Sequence, residues 1–314
     1  MAIPDSVDIG ALITKREEQP IRLGQFSDIF TSKFSKGRDG IVCVKVLRGA
    51  RDDNRVTSEL RENLLKHARV WVTLKHPNIV QFYGLAFDCG PLPALIMDYY
   101  PIGNAFEYLK KRSLSPIQRV ELLRDVASGL NYLHNLNPPI VHGDIRAANI
   151  LVDGDFHGSI VDYELAFIIN TSDFTTYKTA GAARWIAPEL ISSVDDDDYQ
   201  GPEYTTHSDI FAFGMTIIEI FTGQEPFAAV KQDFRVMRLI RDGKRPNMPQ
   251  EIQEIPLLTK LIEDCWHAES SFRPTSWETV IQLGLIMEGL RPPLSQLLLS
   301  MILSPIYRVF NVVS

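Results

Sequence analysis

The stretch of the chain richest in reactive groups is His142-Gly143-Asp144-Ile145-Arg146-Ala147-Ala148-Asn149, followed by the apolar run Ile150-Leu151-Val152. Thirteen residues after Asn149 stands Asp162, in the segment IVDYELA. A loop between strands would present Asp144 and Asn149, and a second loop after a strand would present Asp162. Carboxylate and amide oxygens are hard ligands. They suit Mg²⁺, an ion usually held by one or two protein groups together with substrate phosphates. Asp144 could then accept a hydroxyl proton while Asn149 and Asp162 hold the metal. The plain alternative is that three polar loop residues fall at this spacing by accident, and each residue taken singly fits that alternative better.

Positioning these groups falls to a chain in two parts. Residues 41–47, IVCVKVL, are short and rich in β-branched side chains, as a buried strand should be. Side chains alternate along a strand, so Cys43, Lys45 and Leu47 share one face and Val42, Val44 and Val46 the other. Residues 55–74 read as a helix that His76-Pro77-Asn78 ends, and 79–87 and 94–100 read as two further strands. Ser115-Pro116-Ile117-Gln118 carries a capping serine, proline at the first helical position and glutamine at the third. Val120, Leu123, Val126, Ala127, Leu130 and Leu133 then follow helical spacing as far as Asn137-Pro138-Pro139. Strands at 150–152 and 158–161 flank a turn at Asp153-Gly154, and helices are expected near 206–222, 230–241, 256–265 and 276–288. The class is α+β, with a small β-rich lobe ahead of a larger helical one.

Composition narrows the function classes. With 45% hydrophobic and 23% charged residues in 314, collagen-like, coiled-coil and wholly disordered chains are excluded. The 32 Lys and Arg against 39 Asp and Glu leave a net charge of −7, the wrong sign for a dedicated nucleic-acid binder. Cys43, Cys89 and Cys265 are too few and too far apart for a disulfide framework or a cysteine zinc site. With no signal-like N-terminus, they point to a reducing, intracellular setting, most simply the cytoplasm. No uninterrupted apolar run of about 18 residues suggests a membrane span. Asp195 to Asp198 reads as a solvated loop. In the apolar tail, 289–314, Leu294, Leu297, Leu298, Met301 and Ile302 keep helical spacing until Pro305. That tail is expected to pack on the large lobe, with a partner or a membrane surface as alternatives.

The motifs together resemble the eukaryotic protein kinases, whose catalytic loop reads H-R-D-x-x-x-x-N and whose metal loop reads D-F-G. Val42-Cys43-Val44-Lys45 is similar to the V-A-I-K strand, and Ala187-Pro188-Glu189 matches A-P-E. Ser208-Asp209-Ile210-Phe211-Ala212-Phe213-Gly214 resembles the helix that buries an Asp beneath the catalytic loop. Cys265-Trp266 and Arg273-Pro274-Thr275 resemble closing signatures of the family, and HPNIVQFYG and RWIAPEL are most similar to its tyrosine-kinase-like and tyrosine-kinase groups. The resemblance covers roughly residues 20–288. It implies an extension at 1–18, a kinase domain at 19–288 and the tail. Within the domain it implies an N-lobe at 19–97, a hinge at 98–104 and a C-lobe at 105–288. It further implies ATP and Mg²⁺ as cofactors and a protein Ser, Thr or Tyr hydroxyl as acceptor. Asp144 would be the catalytic base, with Lys45 on the phosphates, Arg146 beside the base, and Asn149 and Asp162 on the metal. Ile21, Gly24, Ile29, Cys43, Asp98, Tyr100 and Leu151 would enclose the nucleotide, with Met97 just before the hinge.

Several positions depart from that pattern. Arg22 and Ser27 replace the outer glycines of the phosphate-covering loop, leaving Gly24. The metal-loop triplet is Asp162-Tyr163-Glu164, with an acid in place of glycine. Ala182 stands where serine/threonine kinases usually carry a threonine, and Arg146 resembles the tyrosine-kinase pattern. Gly143 replaces the arginine that answers to activation-loop phosphorylation. Activity is therefore expected to be insensitive to phosphate on Thr171, Ser172, Thr175, Thr176, Tyr177 or Thr179. His67 falls where the family has the glutamate that pairs with the strand lysine. At about 100° per residue, Glu62 lies five positions away, about 140° around the helix. Lys45 is then expected to turn to Asp162, the enzyme to be slow, and His67→Glu to raise turnover by at least about tenfold. A nucleotide-binding pseudokinase is the competing reading.

Overall fold

The computed structural model describes residues 7–14, 19–23, 27–35, 40–48, 54–87, 89–90, 92–165, 168, 182–191 and 203–291. Gly24, the six hydroxyl residues between 171 and 179, the acidic run 195–198 and the tail beyond Arg291 lie outside them.

The first lobe is an antiparallel sheet. Its strands are β1 (Arg22–Leu23), β2 (Ser27–Lys33), β3 (Ile41–Leu47), β4 (Phe82–Ala86) and β5 (Ala94–Asp98), in the order β1-β2-β3-β5-β4. β3 lies at the centre, and Lys45 is flanked by Ile29 on β2 and Leu95 on β5. The predicted alternation holds: Cys43 and Leu47 join the main core, whereas Val42 and Val44 pack in a separate cluster with Phe30, Ala86, Ala94 and Ile96. Helix α1 (Asn54–Trp71) covers the main-core face through Leu60, Leu64, Ala68 and Trp71, at spacings of four, four and three.

β6 (Gly103–Asn104) opens the second lobe and pairs with β7 (Ile150–Val152), which pairs with β8 (Gly158–Ile160). Asn104 also caps α2 (Ala105–Lys111) by accepting from Glu107 N. The predicted capping box at Ser115 and Gln118 starts α3 (Pro116–His134), and all six periodic residues read from the sequence are buried. After α4 (Pro188–Ile191) comes α5 (Thr206–Thr222), buried from Ser208 through Phe221. A helix apolar all round belongs at the centre of a lobe. The chain continues through α6 (Asp233–Arg241), α7 (Gln250–Gln253), α8 (Pro256–Cys265) and α9 (Ser276–Leu290). The helix α9 packs along α3. No described helix is long and apolar enough to cross a membrane.

Candidate active site

The loop carrying Asp144 is fixed from below by α5. Asp209, 1% exposed, accepts from His142 N at 2.7 Å and Gly143 N at 2.8 Å, and lies 2.9 Å from His134 Nε2. Two turns on, Thr216 Oγ1 donates to Ile145 O at 3.1 Å. Glu219 Oε2 accepts from Ala147 N at 2.8 Å and Trp185 Nε1 at 3.1 Å. One helix face thus satisfies the backbone of a loop that has no ladder of its own. Gly143 has φ 78, a backbone region that suits glycine. Burial pushes the His142 imidazole down, against the opposing pull of Asp209, and its Nδ1 accepts from Asp144 N at 3.2 Å.

One Asp144 carboxylate oxygen is hydrogen-bonded and the other lies beside a guanidinium. Asn149 Nδ2 donates to Asp144 Oδ2 and to Asp144 O, each at 2.8 Å, and Arg146 Nε lies 3.2 Å from Oδ1. The Arg146 guanidinium also stacks 5.7 Å from the Trp185 ring centre. With its amide nitrogen so engaged, Asn149 has its Oδ1 left for a cation. Val161 N donates to Asn149 O at 3.1 Å and Glu164 N to His142 O at 3.0 Å, which ties the Asp144 loop to the Asp162 loop. Asp162 itself sits at φ 69.

Across the cleft, Lys45 Nζ is in direct contact with Asp162 Oδ2, the contact expected once the helix offers no carboxylate. Glu59 and Glu62 lie on the exposed side of α1. Cys43 is buried beside Met97 across the β3–β5 register. Burial pushes its thiol up to about 12, with Lys45 pulling it down and Asp162 pushing it further up. Ile29, Tyr99, Tyr100 and Leu151 pack against the main core that also holds Cys43 and Met97, a cluster that runs through both lobes. Ile21 is exposed, its N bonded to Ile29 O at 2.8 Å. At the end of β5, Asp98 Oδ1 accepts from Tyr83 Oη at 2.5 Å, and Tyr100 Oη donates to Ser159 Oγ at 3.0 Å. Asp98 N is already committed to Gln81 O. Among the described residues no cluster of three or more His, Cys, Asp or Glu side chains could hold a metal alone.

Two features escaped the sequence. Glu219 is the one charge between Ile210 and Thr222 of an otherwise apolar helix stretch, and only folding reveals the donors it serves. Glu164 stands out in the sequence only as an acid in place of glycine, but its carboxylate reaches α1, 2.7 Å from Trp71 Nε1 and 3.2 Å from His67 Nδ1. A glutamate in place of His67 would set a second carboxylate beside Glu164.

A model of the family described as protein tyrosine and serine/threonine kinase matches residues 16–283, and the chain belongs to that family. R831 of Acanthamoeba polyphaga mimivirus is 36% identical over 274 residues, covering 85% of this chain and 15% of that protein. Serine/threonine-protein kinase 12 of Arabidopsis thaliana is 32% identical over 218 residues, covering 68% of this chain and 45% of its own length. Serine/threonine-protein kinase CTR1 of the same plant is 29% identical over 282 residues, covering 88% of this chain and 32% of its own. The chain therefore spans less than half the length of each of these relatives.

Proposed function

We propose that the chain transfers the γ-phosphate of ATP to a Ser or Thr hydroxyl of a protein, at a modest rate, inside the cell. The observation that carries this reading is the held carboxylate of Asp144, gripped by Asn149 and Arg146 on a loop that Asp209 and Glu219 fix from beneath. A base so oriented accepts the acceptor hydroxyl's proton without spending reaction time on its own rotation. Asn149 and Asp162 would hold Mg²⁺, which when bound neutralises phosphate charge as it develops. Lys45 would exchange Asp162 for phosphate oxygens when nucleotide enters, and that exchange slows the enzyme. The names of the plant relatives support Ser/Thr acceptors, and the HPNIVQFYG and RWIAPEL segments support the tyrosine-kinase-like group.

Phosphate transfer from radiolabelled ATP to a generic protein acceptor tests the reading. Asp144→Ala should lower it by about 100-fold or more while leaving Mg-ATP binding in place. Lys45→Met should weaken the rise in melting temperature that millimolar Mg-ATP gives. The Lys45–Asp162 contact and the acid at Glu164 favour a second reading, a nucleotide-binding scaffold of kinase shape. A clear Mg-ATP shift with transfer equal in wild type and Asp144→Ala would establish that one instead.

A further inference from the structure

Helix α1 and the Asp162 loop are joined by a carboxylate that comes from the loop. Glu164 occupies φ 60, a conformation that glycine adopts freely and a side-chain-bearing residue seldom does. Its side chain is 15% exposed, and its Oε2 meets two nitrogens of α1, Trp71 Nε1 at 2.7 Å and His67 Nδ1 at 3.2 Å. His67 and Trp71 are four residues apart, so they lie one turn apart on one helix face. Trp71 also packs edge-on against Tyr163, with ring centres 5.7 Å apart, so both residues after Asp162 are seated on the same helix. Where the kinase pattern has an acid on the helix and glycine in the loop, this chain has histidine on the helix and the acid in the loop. The two departures meet at 3.2 Å.

We propose that Glu164 is a positioning residue. By clamping the loop to His67 and Trp71 it fixes Asp162, two residues earlier, and does for helix and loop what a lysine-bound helix glutamate would otherwise do. The strand lysine is released from the helix and is left to Asp162. This inference rests on the cleft binding Mg-ATP, because its functional consequence is the affinity of Asp162 for the metal. It also explains why neither departure can be reversed singly. His67→Glu sets two carboxylates together, and Glu164→Gly cuts the tie while leaving the helix without an acid.

The test uses the full chain with Glu164→Gln, Glu164→Gly, His67→Gln, His67→Glu and the double variant His67→Glu/Glu164→Gly. The first readout, urea unfolding without nucleotide, gives the coupling between the two sites by double-mutant cycle. The second is the Mg²⁺ concentration needed for half of the ATP-induced rise in melting temperature. We expect clear coupling, with the double variant more stable than the two single losses combined would allow. Glu164→Gly and His67→Glu should each raise the half-effective Mg²⁺ by about tenfold, with the ATP requirement at saturating Mg²⁺ changed by less than about threefold. Glu164→Gln, which keeps an acceptor for Trp71, should show a smaller rise, and the double variant should return to within about threefold of wild type. Additive unfolding effects would overturn the clamp. Coupling with an unaltered Mg²⁺ requirement would overturn the positioning role. If wild type gives no Mg-ATP shift, the nucleotide reading fails, and with it the metal consequence, while the cycle still decides the clamp. Should the glutamate or glycine variants not fold, the cycle is read from the two glutamine variants and their double.

Discussion

Burial pushes the Glu219 carboxyl up to about 8, against the pull of the Ala147 N–H, the Arg146 charge and the Trp185 indole. Its ordinary value is 4.5. Between these two values the native state keeps a proton that the unfolded chain has released. Folding then takes up a proton, and stability falls as pH rises through that window. The contribution is whole below the lower value and gone above the upper one. Glutamine keeps an acceptor for Ala147 N and Trp185 Nε1 and cannot ionise. Glu219→Gln should therefore match wild type near pH 5 and become the more stable of the two by pH 8. The difference between their denaturation midpoints, measured across pH, isolates this residue from the other titrating groups. A constant difference would mean that Glu219 is ionised in the native state throughout. His142 pulls the other way, since burial lowers its pKa and its stabilising neutral form is lost as the pH falls. It is common to both proteins and cancels.

At the level of elements, Arg273 ties the second lobe together. Its side chain is 0% exposed and grips Glu189 with two parallel bonds, Nη1 to Oε1 at 2.6 Å and Nη2 to Oε2 at 2.8 Å. It also donates to His207 O at 3.0 Å and His267 O at 2.9 Å, so one guanidinium joins α4, the start of α5 and the turn after α8. Removing it leaves a carboxylate and carbonyls without their donor. Arg273→Ala should cost about 3–5 kcal/mol in chemical denaturation, and Arg273→Lys less, because an ammonium cannot form the paired bonds. A loss of under about 1 kcal/mol for the alanine variant would show that the pair contributes little. Elements with local punctuation were legible in the sequence. The helices over 206–222 and 256–265 fall at the residues expected, because Thr205 caps one and Pro256 opens the other. The strand over 41–47 was equally clear from its β-branched run. β2 was not, because SDIFTSK carries polar residues at Ser27 and Ser32 that are nevertheless buried. The site divides in the same way. Asp144, Asn149 and Asp162 stand close in sequence and were found together. The acid of Glu164 and the indole of Trp71 meet across 93 positions, a distance over which no local pattern runs.

On the scale of the whole molecule, the first lobe has two covered faces, and the second cover comes from ahead of the family match, which begins at residue 16. Residues 7–14 run across the face of the sheet that α1 does not reach. Leu85 N donates to Val7 O and Ile9 N to Leu85 O, both at 2.8 Å, while Thr14 N donates to Lys33 O at 2.7 Å and Ser35 N to Leu12 O at 2.8 Å. Ile9 and Ile13 pack on the cluster of Phe30, Val44 and Ile96, while Val7, 5% exposed, joins the main core. The close approach depends on Gly84, at φ 152, where an added Cβ would come within 2.5 Å of Val7 O. Without this segment the cluster would face water, and the backbone of β4 would lose its partner along that edge. Burial of Val7 and part of two isoleucines contributes roughly 2–4 kcal/mol. Deleting residues 1–14 should therefore lower the melting temperature by roughly 5–10 °C and expose apolar surface to a dye. The deletion by itself would not tell lost packing from general fraying of a shortened chain. Gly84→Ala separates them. In the full chain it suffers both the unfavourable φ and the clash with Val7 O; in the deleted chain only the φ remains. Its cost should be clearly smaller in the deletion background, and an equal cost in both would show that residues 7–14 do not lie against β4 in solution.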